Sequence, residues 1–154
     1  MMAEQRKELQ VAALCNGTVI DHIPSNQVFR VATLLNLENL RNPITIGNNL
    51  ESKKMGTKGI IKIADKFFEE EQINKIALIA PNSVLNVIKD YQVVNKKKVS
   101  LPQTIKGIVK CNNPKCITNN EPMPTYFEVI DGDNVILNCH YCNLKIEQKD
   151  IVLK

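Results

Sequence analysis

Four cysteines near the C-terminus are the residues whose type and spacing point most clearly to chemistry. They form two close pairs, Cys111 with Cys116 and Cys139 with Cys142, in the patterns C-x4-C and C-x2-C. Two such pairs, each on a tight turn, can bring four thiolates onto one tetrahedral zinc ion. Because four thiolates leave no coordination position for water, the pattern predicts one structural Zn²⁺ per chain and argues against zinc catalysis.

Disulfide bonds, unpaired structural thiols and an iron–sulfur cluster are the alternatives for these clustered cysteines. The chain has five cysteines, an odd number, and nothing else marks it as secreted, so disulfides fit poorly. Iron–sulfur proteins also use four thiolates, but their usual spacings differ. The fifth cysteine, Cys15, is expected to be a small buried side chain.

Length and composition are those of a globular protein with one ordinary domain or two small ones. The 154 residues are 44% hydrophobic and 23% charged, and the net charge of +4 is only mildly basic. Such a charge does not by itself indicate a nucleic-acid partner. No apolar run approaches the roughly 18 residues of a transmembrane helix, and the N-terminus is too polar for a signal peptide. We therefore expect a cytoplasmic protein with no membrane partner.

Alternation and helical periodicity predict an α+β fold for the first part of the chain. The predicted elements are a broken strand at Leu9–Ile20, a helix carrying Val28 to Leu35, strands at Ile44–Leu50 and Ile60–Ile63 around a basic loop at 51–59, a helix at Glu70–Ala80 and a strand at Val84–Val94. This β-α-β-β-α-β order is ferredoxin-like, with one antiparallel sheet and both helices on one face. The other face is left for solvent or a second layer.

The cysteine-containing region is predicted to form a small all-β, zinc-ribbon-like domain. It contains short predicted strands at Thr125–Ile130, Val135–Asn138 and Leu144–Leu153. So short a domain cannot build a large core, and zinc ligation, on the order of 10–16 kcal/mol, would supply the difference. We divide the chain into a first domain at 1–98, a linker at 99–104 and a zinc-binding domain at 105–154.

The sequence lacks the usual patterns of catalysis. It contains no glycine-rich phosphate loop, no G-x-S-x-G and no H-E-x-x-H, and its only histidines are His22 and His140. General acid–base chemistry therefore has few candidates, and we expect a protein that is not an enzyme. Asp21 and His22 at a strand end, and Lys62 on a strand, are either ordinary surface residues or ligand contacts.

Several segments of the chain occur together, in one order, in a known family. They are Gly17–Pro24, Ile44–Gly47, Met55-Gly56, Lys62-Ile63, Ala80-Pro81, Val93-Val94 and the paired cysteines. Together they closely resemble the regulatory chain of aspartate carbamoyltransferase over roughly residues 9–153. The resemblance implies a noncatalytic, allosteric subunit of pyrimidine biosynthesis that binds CTP as inhibitor and ATP as activator, with UTP left open. It also implies paired N-terminal domains and a zinc domain that contacts the catalytic chain.

The resemblance further implies a nucleotide site. Asp21 would hold the ribose hydroxyls, while His22, Lys62 and Lys96 would meet the phosphates. The base pocket would be formed by Ala13, Leu14, Val19, Asn86, Ile88, Tyr91 and Val93.

The chain departs from the family pattern at several positions near this site. Leu14 stands where isoleucine is familiar, Lys54 where a glycine is expected, and Gly59 where an acidic residue is expected. Lys97 and Lys98 are expected to add charge on the phosphate side, and Lys58 is a candidate contact for a second nucleotide or a metal-bridged pair.

A nucleic-acid-binding zinc ribbon is the alternative from another functional class. The cysteine-containing region has lysines at positions 106, 110, 115, 145 and 149 but no arginine, and its aromatic residues are limited to Tyr126, Phe127 and Tyr141. Proteins that bind single strands interleave aromatic platforms with basic residues. The sequence therefore favours the regulatory chain, with no nucleic-acid partner.

Overall fold

The computed structural model describes residues 14–154, in which the chain forms sheets of five, four and two strands together with two α-helices. Three short 3-10 turns lie at Leu37–Asn39, Ile117–Asn119 and Gln148–Asp150. The elements, in chain order, are β1 (Gly17–Ile23), α1 (Val28–Leu34), β2 (Ile44–Ser52), β3 (Gly56–Ala64), α2 (Glu70–Ile79), β4 (Val84–Lys89), β5 (Gln92–Lys98), β6 (Thr104–Lys106), β7 (Val109–Lys110), β8 (Tyr126–Asp131), β9 (Ile136–Cys139), β10 (Lys145–Glu147) and β11 (Val152–Leu153).

The larger sheet has the order β2-β3-β1-β4-β5, with every neighbouring pair antiparallel. Its first four strands, together with α1 and α2, have the ferredoxin-like order, and β5 adds an edge strand. The predicted α+β fold is confirmed. The segment Leu9–Ala13 of the predicted first strand lies outside the described residues.

Both helices cover one face of this sheet. Ile20, Ile61 and Leu85 on the central strands are buried in one cluster with Val31 of α1 and Ile76 of α2. Because successive strand residues point to opposite faces, their neighbours along each strand lie on the face that the helices leave open. The packing of this core therefore determines which polar side chains lie on the open face.

The C-terminal part of the chain builds a second core. Its four-stranded sheet has the order β10-β9-β8-β6, and β7 pairs with β11. Phe127 and Leu137 are fully buried there among the cysteines. Leu101 packs against both cores.

Three sequence predictions of local structure are wrong. The predicted strand Val84–Val94 is the hairpin β4–β5, with Asp90 and Tyr91 in left-handed conformation at its turn. The predicted loop 51–59 consists mostly of paired strand residues at the ends of β2 and β3. The predicted strand Leu144–Leu153 is interrupted by the 3-10 turn Gln148–Asp150. In each case the position of a turn within the segment determines where the strands begin and end. The composition of the segment alone does not show that position.

In residues 14–154, neither helix is long and apolar enough to span a bilayer.

Gly59 allows close contact between β3 and α1. A Cβ atom placed on Gly59 would lie 1.8 Å from Cγ2 and 3.2 Å from Cβ of Val28, and Val28 is fully buried. The valine therefore occupies the space that a side chain at position 59 would need. In this chain, the packing of α1 on β3 therefore requires glycine at position 59, where the family resemblance leads one to expect an acidic residue.

Gly59→Ala is expected to lower the free energy of unfolding by about 1–3 kcal/mol, as overpacking of a core usually does. Gly132→Ala is the control, because a Cβ there meets no atom within 4 Å. Chemical denaturation of both variants measures the effect. Equal stability of the two variants would show that α1 shifts freely and that the contact is not a constraint.

Candidate functional site

The four paired cysteines converge in the second core. Their sulfur atoms all lie within 4.8 Å of one another, with Cys111 and Cys142 3.6 Å apart and Cys116 and Cys139 3.7 Å apart. A tetrahedral ion with metal–sulfur bonds of about 2.3 Å requires sulfur–sulfur separations of about 3.8 Å. All five cysteines of the chain are free of disulfide bonds. The arrangement fits a single ion held by four thiolates.

Side-chain amides hold the loop that carries the first cysteine pair. Asn119 donates to the carbonyl oxygen of Cys111 at 2.8 Å, and Asn120 donates to that of Cys116 at 2.9 Å. The hydroxyl of Thr118 lies 3.2 Å from the sulfur of Cys116. Such contacts fix the direction of each ligand before the ion binds, as outer-shell partners do in metal sites.

The thiols differ in acidity. Burial, together with the neighbouring thiols, raises the pKa of Cys111 to about 12, against a lowering hydrogen bond from the backbone of Asn113. Burial also acts to raise the pKa of Cys142, but hydrogen bonds from the Leu144 backbone, the Asn113 side chain and neighbouring thiols lower it to about 7. Metal ligation requires thiolates, so a cation must stabilise the buried Cys111 sulfur in its charged form.

A second group of sequence-predicted residues lies in one row across the open face of the large sheet. The pairing register joins Thr45 to Lys62, Lys62 to Val19, Val19 to Asn86, and Asn86 to Lys96. Directly opposed residues of an antiparallel sheet have Cβ atoms about 4.5–5.5 Å apart. Lys62 and Asn86, both expected to contact the same ligand, thus flank the buried Val19, and Lys96, expected at that ligand too, lies beside Asn86.

A β-bulge brings Asp21 and His22 to the same region. Ile20 pairs with Ile61 and Ile23 pairs with Gly59, so β1 has one more residue than β3 over this stretch. Ile20 and Ile23 both point into the core, while His22 adopts a left-handed φ of 59°. The extra residue directs the Asp21-His22 pair away from the core, as bulges near binding sites commonly do.

Asp21 is already paired with a cation. Its Oδ1 lies 2.9 Å from Nζ of Lys58 and accepts the backbone N–H of His22 at 2.7 Å. The side chains of Asp21 and Lys58 are each only 21% exposed. Nδ1 of His22 lies 3.5 Å from Oδ2 of Asp21, without hydrogen-bond geometry. Asp21, His22 and Lys58 therefore form one polar group beside the row.

The opposite side of the row is apolar. Gly17, which has no side chain, pairs with Ile88, and Ile88 pairs with Val93. Ile88 is buried, whereas Val93 and Tyr91 are exposed. The backbone N–H of Tyr91 donates to the carbonyl oxygen of Cys15 at 2.9 Å, which brings the segment after Leu14 to the β4–β5 turn. The open face thus changes from apolar to cationic along β1.

Some expected residues lie elsewhere. Ala13 lies outside the described residues. Lys97 faces the helices, where its Nζ lies 3.1 Å from both carboxylate oxygens of Glu70, so its expected place on the phosphate side is wrong. Lys98 pairs with Val84, which pairs with Asp21, and it therefore shares the open face with Lys96. Sequence reasoning missed Thr45 because only the strand register reveals the row.

The aromatic residues of the cysteine-containing region do not form a stacking surface as a group. Phe127 is fully buried, and Tyr126 is only partly exposed. The ring of His140 lies 4.9 Å from that of Tyr126 and 5.2 Å from that of Tyr141, and its Nδ1 is 2.9 Å from Glu128. This gives no support to the nucleic-acid-binding alternative.

Two protein-family models match the chain. One describes the aspartate carbamoyltransferase regulatory chain, allosteric domain, and matches residues 9–100. The other describes the metal binding domain of the same chain and matches residues 103–152. The row on the open face lies within the first match, and all four paired cysteines lie within the second.

Curated relatives with the name aspartate carbamoyltransferase regulatory chain align along the whole sequence. The protein of Parabacteroides distasonis is 64% identical over 154 residues, covering 100% of both chains. That of Bacteroides fragilis is 60% identical, covering 99% of both. That of Pyrococcus abyssi is 46% identical, covering 94% of this chain and 97% of its own.

Two independent domain matches and full-length relatives agree with the sequence resemblance and with the four-cysteine cluster. The chain belongs to the aspartate carbamoyltransferase regulatory chain family, whose members are noncatalytic subunits with an allosteric and a metal-binding domain.

Proposed function

We propose that this regulatory chain binds CTP and ATP on the open face of its large sheet and transmits their binding to the catalytic chain. The single observation that supports the site is the row Lys62–Val19–Asn86–Lys96 beside the Asp21–Lys58 pair. A nucleoside triphosphate has a flat base, a hydroxyl-bearing sugar and a strongly anionic end. The open face offers an apolar group at Ile88, a carboxylate at Asp21 and cations at Lys62 and Lys96, one kind of group for each part of such a ligand.

Each proposed contact follows from the chemistry of the side chain. Ile88, Val93 and Tyr91 lie near one another at the β4–β5 hairpin, where they would cover a base with apolar surface. The Asp21 carboxylate would accept the ribose hydroxyls, as acidic residues do in other nucleotide sites. His22, Lys62 and Lys96 would donate charge-assisted hydrogen bonds to phosphates, which are among the strong hydrogen bonds of proteins.

Lys58 has a special position in this proposal, since it already neutralises Asp21. A bound triphosphate would compete with Asp21 for the ammonium group, so ligand binding would rearrange this pair. We propose that UTP can bind as well. A second nucleotide, or a pair of nucleotides bridged by a metal, would place further phosphate groups near Lys58. An effector with equal affinity for two quaternary states does not shift the equilibrium between them. CTP and ATP must therefore make different contacts in order to have opposite effects.

The metal of the second domain is proposed to be Zn²⁺, one per chain and structural. Four soft sulfur ligands at tetrahedral separations suit zinc. The proposed division is a nucleotide-binding domain at 1–98, a linker at 99–104 and, at 105–154, the domain that contacts the catalytic chain. Self-association into a regulatory dimer through the first domain and a cytoplasmic location complete the proposal; reduced thiolate ligands are typical of the cytosol.

Lys62→Ala is expected to weaken CTP binding by about tenfold or more, since a hydrogen bond to a charged group contributes about 1.5–3 kcal/mol. The measurement is calorimetric titration of the zinc-loaded chain with CTP, followed by competition with ATP. Lys106→Ala, an exposed lysine of β6, is the control and should bind as the wild type does. Unchanged affinity in Lys62→Ala, or no binding of either nucleotide to the wild type, would refute the site.

Asp21→Asn is expected to weaken binding of CTP severalfold, because the amide is a poorer acceptor for ribose hydroxyls than a carboxylate. A double-mutant cycle isolates this contact. CTP lacking the 2′ and 3′ hydroxyls should bind equally to Asp21→Asn and to the wild type. A loss of equal size for both nucleotides would instead assign Asp21 to positioning Lys58.

Removing the metal is expected to unfold residues 105–154 and to abolish binding of the catalytic chain, while β1 to β5 stay folded. Structural zinc contributes about 10–16 kcal/mol to such domains. Amide hydrogen exchange with chelator, or in Cys139→Ser, measures the loss domain by domain. Cys15→Ser is the matched control and should keep a full zinc content. Catalytic-chain binding by the metal-free protein would contradict the proposed role of this domain.

A further inference from the structure

The C-terminal end of α2 is bonded to the metal-binding domain. The last carbonyls of any helix have no partner within the helix. Here Nε2 of Gln148 donates to the carbonyl oxygens of Leu78 and Ile79, at 3.1 Å and 2.9 Å. One amide nitrogen thus donates to two adjacent carbonyls of the other domain.

A second contact between α2 and the metal-binding domain is apolar and is made by Leu78. Leu78 is fully buried and belongs to the core of the metal-binding domain rather than to that of the large sheet. Apolar contacts are non-directional, so Leu78 alone would let α2 slide or rotate. Hydrogen bonds weaken steeply when they are bent. The Gln148 pair therefore fixes how α2 is placed on the metal-binding domain.

The other end of α2 is joined to the strand of the proposed nucleotide site. Glu70, the first residue of α2, is bonded to Lys97. Lys97 follows Lys96, the cation at the end of the open-face row. The ten residues of α2 span about 15 Å, from the edge strand β5 to Gln148. A shift of β5 therefore reaches α2 through a direct contact.

We infer that Gln148 is the positioning residue that transmits nucleotide binding from α2 to the metal-binding domain. The inference rests on the proposed function, and it adds a residue that touches neither nucleotide nor metal. A nucleotide that displaces β5 alters the position of α2, and the two bonds from Gln148 carry that displacement to the domain that contacts the catalytic chain. Without them, the nucleotide still binds, but the signal is reduced.

The test uses the regulatory chain assembled with its catalytic chain. Two quantities are measured: the Kd of CTP, and the change that saturating CTP causes in the aspartate concentration for half-maximal velocity. Gln148→Met keeps the volume of the side chain and removes its N–H donors. In this variant, the CTP-induced change in the aspartate concentration for half-maximal velocity should shrink by at least about twofold. That factor is the lower end of the effects seen for residues that carry coupling between sites. The Kd of CTP should stay within about twofold of the wild-type value, as should the zinc content.

Two further variants separate transmission from simple packing. Gln148→Lys keeps N–H donors within reach of the carbonyls and should retain the CTP response. Gln103→Met, at an exposed glutamine just before the metal-binding domain, should respond as the wild type does. If Gln148→Met does not assemble, Gln148→Ala, which only removes atoms, is measured by the same criteria.

The outcomes distinguish this inference from the proposed function. A full CTP response in Gln148→Met, or an equal loss in Gln148→Met and Gln148→Lys, overturns the role of Gln148. Failure of CTP and ATP to bind or to affect the wild-type assembly overturns the proposed function itself. A reduced response in Gln148→Met, with CTP affinity kept and the response restored by Gln148→Lys, supports the inference.

Discussion

Four sulfur atoms held within 4.8 Å of one another set the constraint on which the metal-binding domain depends. Thiolates at such separations repel one another, and burial raises the pKa of the Cys111 thiol to about 12. A bound cation offsets both the repulsion between the thiolates and the cost of burying a charged Cys111 sulfur. The small core around Phe127 can then form. The position of Gln148, and with it the contact to α2, depends on that core.

The allosteric domain is under a different constraint, because it presents polar residues on one face of a sheet whose other face is packed in a core. Strict alternation on β1 would place Asp21 and His22 on opposite faces. The bulge between Ile20 and Ile23 keeps both isoleucines inside and releases both polar residues. Ferredoxin-like packing of two helices on one face leaves the opposite face free for a ligand. The core and the site are therefore two consequences of one strand register.

The sequence was sufficient for features that follow from spacing or from a long pattern. The cysteine pairs predicted the metal cluster, and the order of periodic segments predicted the α+β fold. Features set by a single backbone conformation were missed. The left-handed residues Asp90 and Tyr91 convert one apolar run into a hairpin, and the left-handed His22 marks a bulge that composition does not reveal.

Long-range pairing was also beyond the sequence alone. Lys97 and Lys98 are adjacent in the chain, yet one binds Glu70 on the helical face and the other shares the open face with Lys96. Which lysine faces a ligand depends on the register between β4 and β5. The link from Gln148 to Leu78 and Ile79 joins residues about 70 positions apart, through two bonds, and no local pattern encodes such a contact.

The central claim is that a nucleoside triphosphate lies across the open face of the sheet, with its phosphates at Lys62 and Lys96 and its ribose at Asp21. A crystal structure of the zinc-loaded chain with CTP tests this most directly. We expect the base beside Ile88, and the Asp21–Lys58 pair rearranged around the sugar and phosphates. CTP bound elsewhere, or an open face left empty at saturating CTP with the Asp21–Lys58 pair intact, would contradict it.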